Sequence, residues 1–186
     1  MGFKFLVVVL LLSLVACTDD PAPLSTVTTT PGADQSTPEI SEADSRAASI
    51  YAAVVRRLRK EANPSRRVFI LDRTHANAAR PVGRRQEERT PIPSEVQSEV
   101  LKRLAEFEVR FVSRDDEAFI SKKQCAGVKK GGSLVTLGEI KGGRRRVQIG
   151  VGSFTACLSG LWLTYVVELR SDRWKVTGTT GPVAIS

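Results

Sequence analysis

The sequence predicts an α+β domain: two amphipathic helices packed on a mainly antiparallel sheet that ends in a four-stranded C-terminal meander. Three observations carry this. Apolar residues recur at helical spacing in two stretches of the first half, Ala47 to Leu58 and Val96 to Leu104. Val68-Phe69-Ile70-Leu71 is a short continuous apolar run, the pattern of a strand buried on both faces. From Ser133 the period changes to two, in four runs separated by short Gly, Ser and Asp turns. Helices gathered ahead of consecutive strands with tight turns are the α+β pattern.

The first helix is expected to start at Ser41, with Asp44 three residues on as a variant capping box. Ala47, Ile50, Tyr51, Val54, Val55 and Leu58 fall on one stripe. Arg56, Arg57, Arg59 and Lys60 lie on the flanks and in the last turns, where cations suit the helix dipole, and Asn63-Pro64 ends the segment. Residues 73–89 are polar, Arg-rich and read as irregular. After Pro91-Ile92-Pro93, Ser94 and Gln97 form a capping-box pair for a second helix with apolar Val96, Val100, Leu101 and Leu104. Glu108 to Ser113 alternates as a strand with Val109 and Phe111 on one face, and Asp115 to Lys123 holds a helical turn with Phe119 and Ile120 inward. The four terminal strands are Leu134 to Ile140, Arg144 to Ala156, Leu161 to Arg170 and Trp174 to Thr179, joined by Gly142-Gly143, Ser159-Gly160 and Ser171-Asp172.

Ahead of this domain, Lys4 is followed by the apolar run Phe5 to Val15, then Ala16 and Cys17. As a helix the run is about 16 Å long, too short for a hydrocarbon core of roughly 30 Å. Leu14-Val15-Ala16-Cys17 resembles the lipobox of bacterial lipoproteins. The resemblance implies a signal peptide over residues 1–16, cleavage before Cys17, and acylation of Cys17 by diacylglycerol and palmitate-type chains. It places the chain on the exported side of the cell membrane or envelope, anchored by lipid. Several acyl chains on one residue give stable attachment where one chain gives marginal binding. Residues 17–40 read as a Thr/Ser/Pro/Asp-rich tether, too poor in aliphatic and aromatic residues to offset the entropy of ordering. Residues 41–186 then form a single basic α+β domain.

Charge divides at the same boundary. Thr18 to Ser45 carries six acids and no Lys or Arg, whereas from Arg46 onward there are 27 Lys+Arg against 14 Asp+Glu. A basic domain tethered to an anionic surface is drawn toward it, and salt weakens the pull. Contact with anionic lipid or a cell-wall polymer is the use this charge suits. Nucleic acid is not expected, because Lys129-Lys130 and Arg144-Arg145-Arg146 lack interleaved stacking aromatics.

With Cys17 assigned to lipid, Cys125 and Cys157 remain as one pair, read as a structural disulfide in an exported domain. The alternative is a reactive thiol or metal pair. Yet no C-x-x-C occurs and His75 is the single histidine, so the cysteines lack partners for a metal site and no cofactor is implied. His75 follows Asp72-Arg73-Thr74 beyond a predicted central strand, and any histidine-dependent hydrolysis would have to use it, with Asp72 as partner. No nucleophile elbow, H-E-x-x-H or P-loop accompanies them. The function expected is a non-enzymatic binding or interaction module. The alternative is a hydrolase-like enzyme using His75 and Asp72. The terminal pattern Tyr165-Val166-Val167-Glu168-Leu169-Arg170, Ser171-Asp172-Arg173, Trp174-Lys175-Val176 is similar to the last hairpin of many small exported bacterial proteins of uncharacterised activity, and to cystatin-like sheets.

Overall fold

A computed structural model describes residues 40–62, 67–81, 89–122, 125–157 and 159–186. The signal segment, Cys17 and the tether up to residue 39 lie outside the described residues, as does the Asn63-Pro64 stop.

Helix α1 spans Glu42–Ala62. Its start is fixed by Ser41, whose Oγ accepts the Asp44 backbone N–H at 3.1 Å and donates to the Asp44 carboxylate at 2.6 Å. One bond of the capping box is therefore made, while the return bond goes to the hydroxyl rather than to the Ser41 backbone. Acidic Glu42 and Asp44 occupy the first turn, and Arg59 and Lys60 the last, both favourable to the helix dipole. Ile50, Val54, Val55 and Leu58 are fully buried; each such burial contributes about 1.5–3 kcal/mol, so packing holds the helix more than propensity does.

Strand β1 (Arg67–His75) lies inside the sheet. Along its first half it is parallel to β3 (Glu108–Val112), with Arg67 opposite Glu108 and Leu71 opposite Val112. Its other edge is parallel to β6 (Ser133–Leu137), with Val68 opposite Ser133. At Arg73 to His75 the short antiparallel β2 (Arg89–Pro91) takes over the edge from β3. Residues 73–75, expected to be irregular, thus extend the strand, because β2 supplies backbone partners that their polar side chains do not advertise. Beyond β6 the sheet continues antiparallel through β8 (Arg146–Ala156), β9 (Ser159–Arg170) and β10 (Arg173–Ile185). The two-residue β7 (Lys141–Gly142) folds back on β8, and the hairpin of β4 (Phe119–Lys122) and β5 (Cys125–Val128) joins β8 through Gly127 opposite Ala156. The class is α+β, with a mixed and mostly antiparallel sheet.

Both faces of β1 are covered. Val68 and Ile70 share a core with α1, with α2 (Ser94–Arg103) and with Val135, Val147, Ile149, Leu163, Tyr165 and Val167. Phe69 and Leu71 meet Val112, Ala118, Val128 and Leu134 on the opposite face, where Phe119 and Phe154 touch edge to face at 5.5 Å. The short helix α3 (Asp115–Ala118) feeds that cluster.

Four local expectations are corrected. Pro93 rather than Ser94 caps α2, without a side-chain cap bond; the helix begins one residue early, and Gln97 donates instead to the Ile92 carbonyl at 2.7 Å. Leu101 is 38% exposed, set off from the buried Val96–Val100–Leu104 stripe. Ile120 is 41% exposed because residues 119–122 are strand, where neighbouring side chains alternate and only Phe119 can point inward. Ala156 pairs with Ser159, so Ser159 and Gly160 are strand residues rather than the β8–β9 turn. That glycine is needed by packing: a Cβ there would sit 2.2 Å from the Trp162 ring, and one at Gly152 would sit 2.9 Å from the same ring. The β9–β10 turn is as expected. Ser171 and Asp172 have φ of 46° and 57°, the double positive value of the primed turn that suits strand twist.

Candidate functional site

A second stripe on α1, beside the buried one, carries Ser49, Ala52, Ala53, Arg56, Arg57 and Lys60 at helical spacing. It faces the start of β10, and the last turn of α2 closes one end with Arg103. The result is a cleft of about 460 Å³. Its floor is small or apolar: Ala52, Ala53, Trp174 and Val176. Cations line it too: Arg56, Arg57 and Lys60 from α1, Arg103 from α2, and Arg173 and Lys175 of β10, whose side chains alternate with Trp174 and Val176 and so turn toward the other face of the sheet; Asp172 is the one carboxylate among the described lining residues.

Three of these cations are held in place from outside the cleft. Arg56 Nε donates to Glu106 at 2.7 Å and its other nitrogen to the Arg103 carbonyl. The hydrogen bond from Arg56 holds the Glu106 carboxyl below its ordinary value, against a smaller opposing effect of burial. Arg57 pairs with Glu61, and Arg103 with Glu99 at 2.9 Å. Lys60, Arg173 and Lys175 have no acidic partner among the described residues. The aromatic floor is braced too. Arg46 stacks 5.2 Å from the Trp174 ring centre while donating to the Gly143 carbonyl at 2.7 Å.

Glu61 also accepts the Tyr165 hydroxyl, which ties α1 to β9 beneath the cleft. Burial, then that hydrogen bond and the carboxylate charge, push the Tyr165 phenol well above its ordinary value. Burial likewise raises Tyr51 to about 12, with Glu139 adding to it.

Guanidinium and ammonium groups converging over an apolar floor are donors for oxyanions, with charge-assisted hydrogen bonds stronger than neutral ones. The paired arginines keep part of their donor fork free for a second acceptor.

The residues singled out from sequence fall elsewhere. His75 is 4% exposed at the end of β1. Asp72, three positions earlier, is bonded through its carboxylate to Arg73 at 3.0 Å, and its carbonyl accepts the Ile92 N–H. Neither lines the cationic cleft or the four other described cavities. Lys129 is drawn to the Glu117 carbonyl in a 3-10 turn, and Arg146 faces Glu168 at 3.7 Å. Cys157 lies in the turn after β8, with its Sγ 3.9 Å from the Ala126 carbonyl. The side chain of Cys125 lies outside the described residues, as does Cys17.

A separate, mostly apolar cavity of about 450 Å³ lies beside Phe119, Leu134, Phe154 and Trp162. Among the described residues no group of three or more His, Cys, Asp or Glu side chains is placed to hold a metal, and no helix is long and apolar enough to cross a membrane.

Sequence reasoning assigned Arg56, Arg57 and Lys60 to helix flanks and did not connect them to Arg173 and Lys175. The available signal was the second stripe of small then cationic residues on α1. Its partner across the cleft is more than a hundred residues away. Comparison with protein-family models, with curated proteins and with solved structures gave no match.

Proposed function

We propose that this chain is a lipid-anchored module of the bacterial envelope that binds anionic partners through its basic domain and performs no chemistry on them. The layout is a signal peptide over residues 1–16, an acylated Cys17, an acidic tether to residue 40, and a basic domain over 41–186. The lipobox Leu14-Val15-Ala16-Cys17 and the short apolar run before it support the anchor. The observation that carries the binding function is the cleft between α1 and β10, where Arg56, Arg57, Lys60 and Arg103 gather beside a small and aromatic floor. The hydrolase-like alternative finds no support in the placement of Asp72 and His75 described above.

A Cys125–Cys157 disulfide belongs to the same proposal. It is supported by Gly127 pairing with Ala156 and by Cys157 Sγ lying 3.9 Å from the Ala126 carbonyl, which bring the two chain segments together. It would fasten the β4–β5 hairpin to the β8–β9 turn.

Fractionation of cells expressing the full chain and its Cys17→Ala variant tests the anchor. The parent is expected in the membrane fraction in high salt and the variant in the soluble fraction. A variant that stays with membranes in high salt would overturn the anchor. A full chain that binds neither anionic polymer nor anionic vesicles at low salt would overturn the binding function.

A further inference from the structure

We infer that the pocket where α1 meets the ends of β1 and β6 is a binding site for a primary alkylammonium group. It shares no lining residue with the α1–β10 cleft and does not depend on the anionic-partner reading. Strand β1 runs between two parallel neighbours, and sheets of parallel strands place ligands beyond the carboxyl ends of those strands. Thr74 is the next-to-last residue of β1, and Glu139 lies two residues beyond β6. Asp44, Ala47 and Tyr51, at spacings of three and four on α1, line the same space of about 210 Å³. Tyr51 carries the inference. It is 6% exposed, its hydroxyl has no hydrogen-bond partner among the described residues, and that oxygen is not sealed in the core. A buried phenol ordinarily finds a partner. This one opens into the pocket, where a ligand can supply it.

The lining sets the sign of the ligand's charge. Its polar side chains are Asp44, Tyr51, Thr74, Thr90 and Glu139, all of them oxygen-bearing and two of them carboxylates. No nitrogen-bearing side chain is among the described lining residues, although the chain from Arg46 onward has 27 Lys+Arg against 14 Asp+Glu. Main-chain donors are scarce as well. Pro91 and Pro93 have no N–H, and the Ile92 N–H is taken by the Asp72 carbonyl at 2.8 Å. The first-turn residues Ser94 and Glu95 of α2 do not line the pocket. Acceptors without competing donors suit an ammonium, which brings three N–H groups and no acceptor. Asp44 takes the Ser41 hydroxyl on Oδ2, so Oδ1 is left for a ligand. Glu139 meets Lys141 only at 3.9 Å, a long surface contact that a bound cation can replace. Its charge reaches the Tyr51 phenol, which burial and then Glu139 push up to about 12. A metal ion fits less well. Two carboxylates are few for a hard cation, and Ile92, Val96 and Ile140 offer apolar contact that only an alkyl body uses. The space equals about seven water volumes, which admits a short chain: a free amine or the end of a lysine side chain.

Ligand-observed NMR titration of the full chain in detergent with pentylammonium is the test. Pentanol serves as the neutral isostere, pentanoate as the anion, and a lysine capped at both ends as the peptide form. The chain is expected to bind pentylammonium and, at the same concentration, neither pentanol nor pentanoate. Glu139→Gln should weaken pentylammonium binding about tenfold and Tyr51→Phe about threefold, the charged acceptor counting for more. Glu117→Gln, an acid outside the pocket, should change it little. Tyr51→Phe removes a hydroxyl that holds nothing in the protein, so thermal unfolding should find its fold intact and the lost binding local. Capped lysine bound with the same dependence on Glu139 would assign the ammonium to a partner's lysine, and binding of pentylammonium alone would assign it to a free amine. Pentanol bound as tightly as pentylammonium would reduce the pocket to an apolar hole and overturn the site. Equal losses from Glu139→Gln and Glu117→Gln would mean diffuse attraction and overturn it too. No binding of pentylammonium by the parent chain refutes the site outright and leaves the anionic-partner reading as it stands.

Discussion

Replacing Gly160 by alanine tests how the second face of the sheet is built. The added Cβ would lie 2.2 Å from Cη2, 2.6 Å from Cζ3 and 2.9 Å from Cζ2 of Trp162, so it meets the ring along one edge. Ordinary carbon contact begins near 3.5 Å, so the ring must move by about 1 Å. Its other end sits over Gly152, where a Cβ would lie 2.9 Å from Cδ1 and 3.0 Å from Nε1, so the ring is seated between two glycines. Overpacking of this kind costs about 1–3 kcal/mol. In a domain of about 150 residues each kcal/mol moves Tm by roughly 2–4 °C, so Gly160→Ala should lower Tm by roughly 2–12 °C. The assay is thermal unfolding of the full chain followed by circular dichroism and tryptophan fluorescence, repeated in a Trp162→Leu background. There the clash is gone. Gly160 has no positive φ to lose, so alanine should be neutral or stabilising by about 0.4–1 kcal/mol through the unfolded chain. An equal penalty in both backgrounds would refute the ring contact as the cause.

Tyr165→Phe removes the hydroxyl held by Glu61 and should cost about 1.5–3 kcal/mol in urea unfolding, since the acceptor is charged. The pH dependence follows from the same site. The folded-state phenol titrates above its unfolded value of 10, so its contribution is full below pH 10 and is lost as pH rises beyond it; Tyr165→Phe should make stability fall less steeply there. Tyr51, raised to about 12, should contribute its own decline between pH 10 and 12 in both proteins. Asp172→Gly removes a side chain from a position with φ of 57° and should stabilise the domain by about 1 kcal/mol in denaturant unfolding; no gain would place the strain elsewhere. Alkylation of the unreduced, denatured domain should find neither Cys125 nor Cys157 reactive. Cys125→Ala, Cys157→Ala and the double variant should each lose the same roughly 3–4 kcal/mol, the loop-closure value for about 30 residues. Unequal losses would mean that the two are not bonded to each other.

The elements that depend on local pattern were readable before the fold was known. The α1 stripe, the buried Val68–Leu71 run and the Ser171-Asp172 turn each follow from neighbours within a few residues, and each is present. What was not readable depends on partners distant in sequence. Residues 73–75 become strand because β2 borders them. Gly160 looks like a turn glycine but serves the Trp162 ring. Gln97 could accept from a backbone N–H or donate to a carbonyl, and where the chain entered α2 decided between them. The cationic cleft was hidden for the same reason: Lys60 reads as an ordinary surface cation until Trp174 and Val176 of β10 are laid beside α1. His75 drew attention through its rarity, which says nothing about geometry.

The placement of β1 has a consequence for how this chain reaches its native state. Val68 pairs with Val109 on one side and with Ser133 on the other, so both neighbours are supplied by later parts of the chain. The β6 partner arrives about 65 residues downstream, and the antiparallel strands that complete the same core follow it. Loops of that length must close before their contacts reward them, which slows folding. A nascent chain that has presented only its first half holds β1 and β2 alone of the sheet, so α1 lacks most of the strands it covers. The domain commits to its fold late and as a whole. Such a chain remains threadable for most of its synthesis and acquires its cleft in the final step, when β10 docks against the helix that was made first.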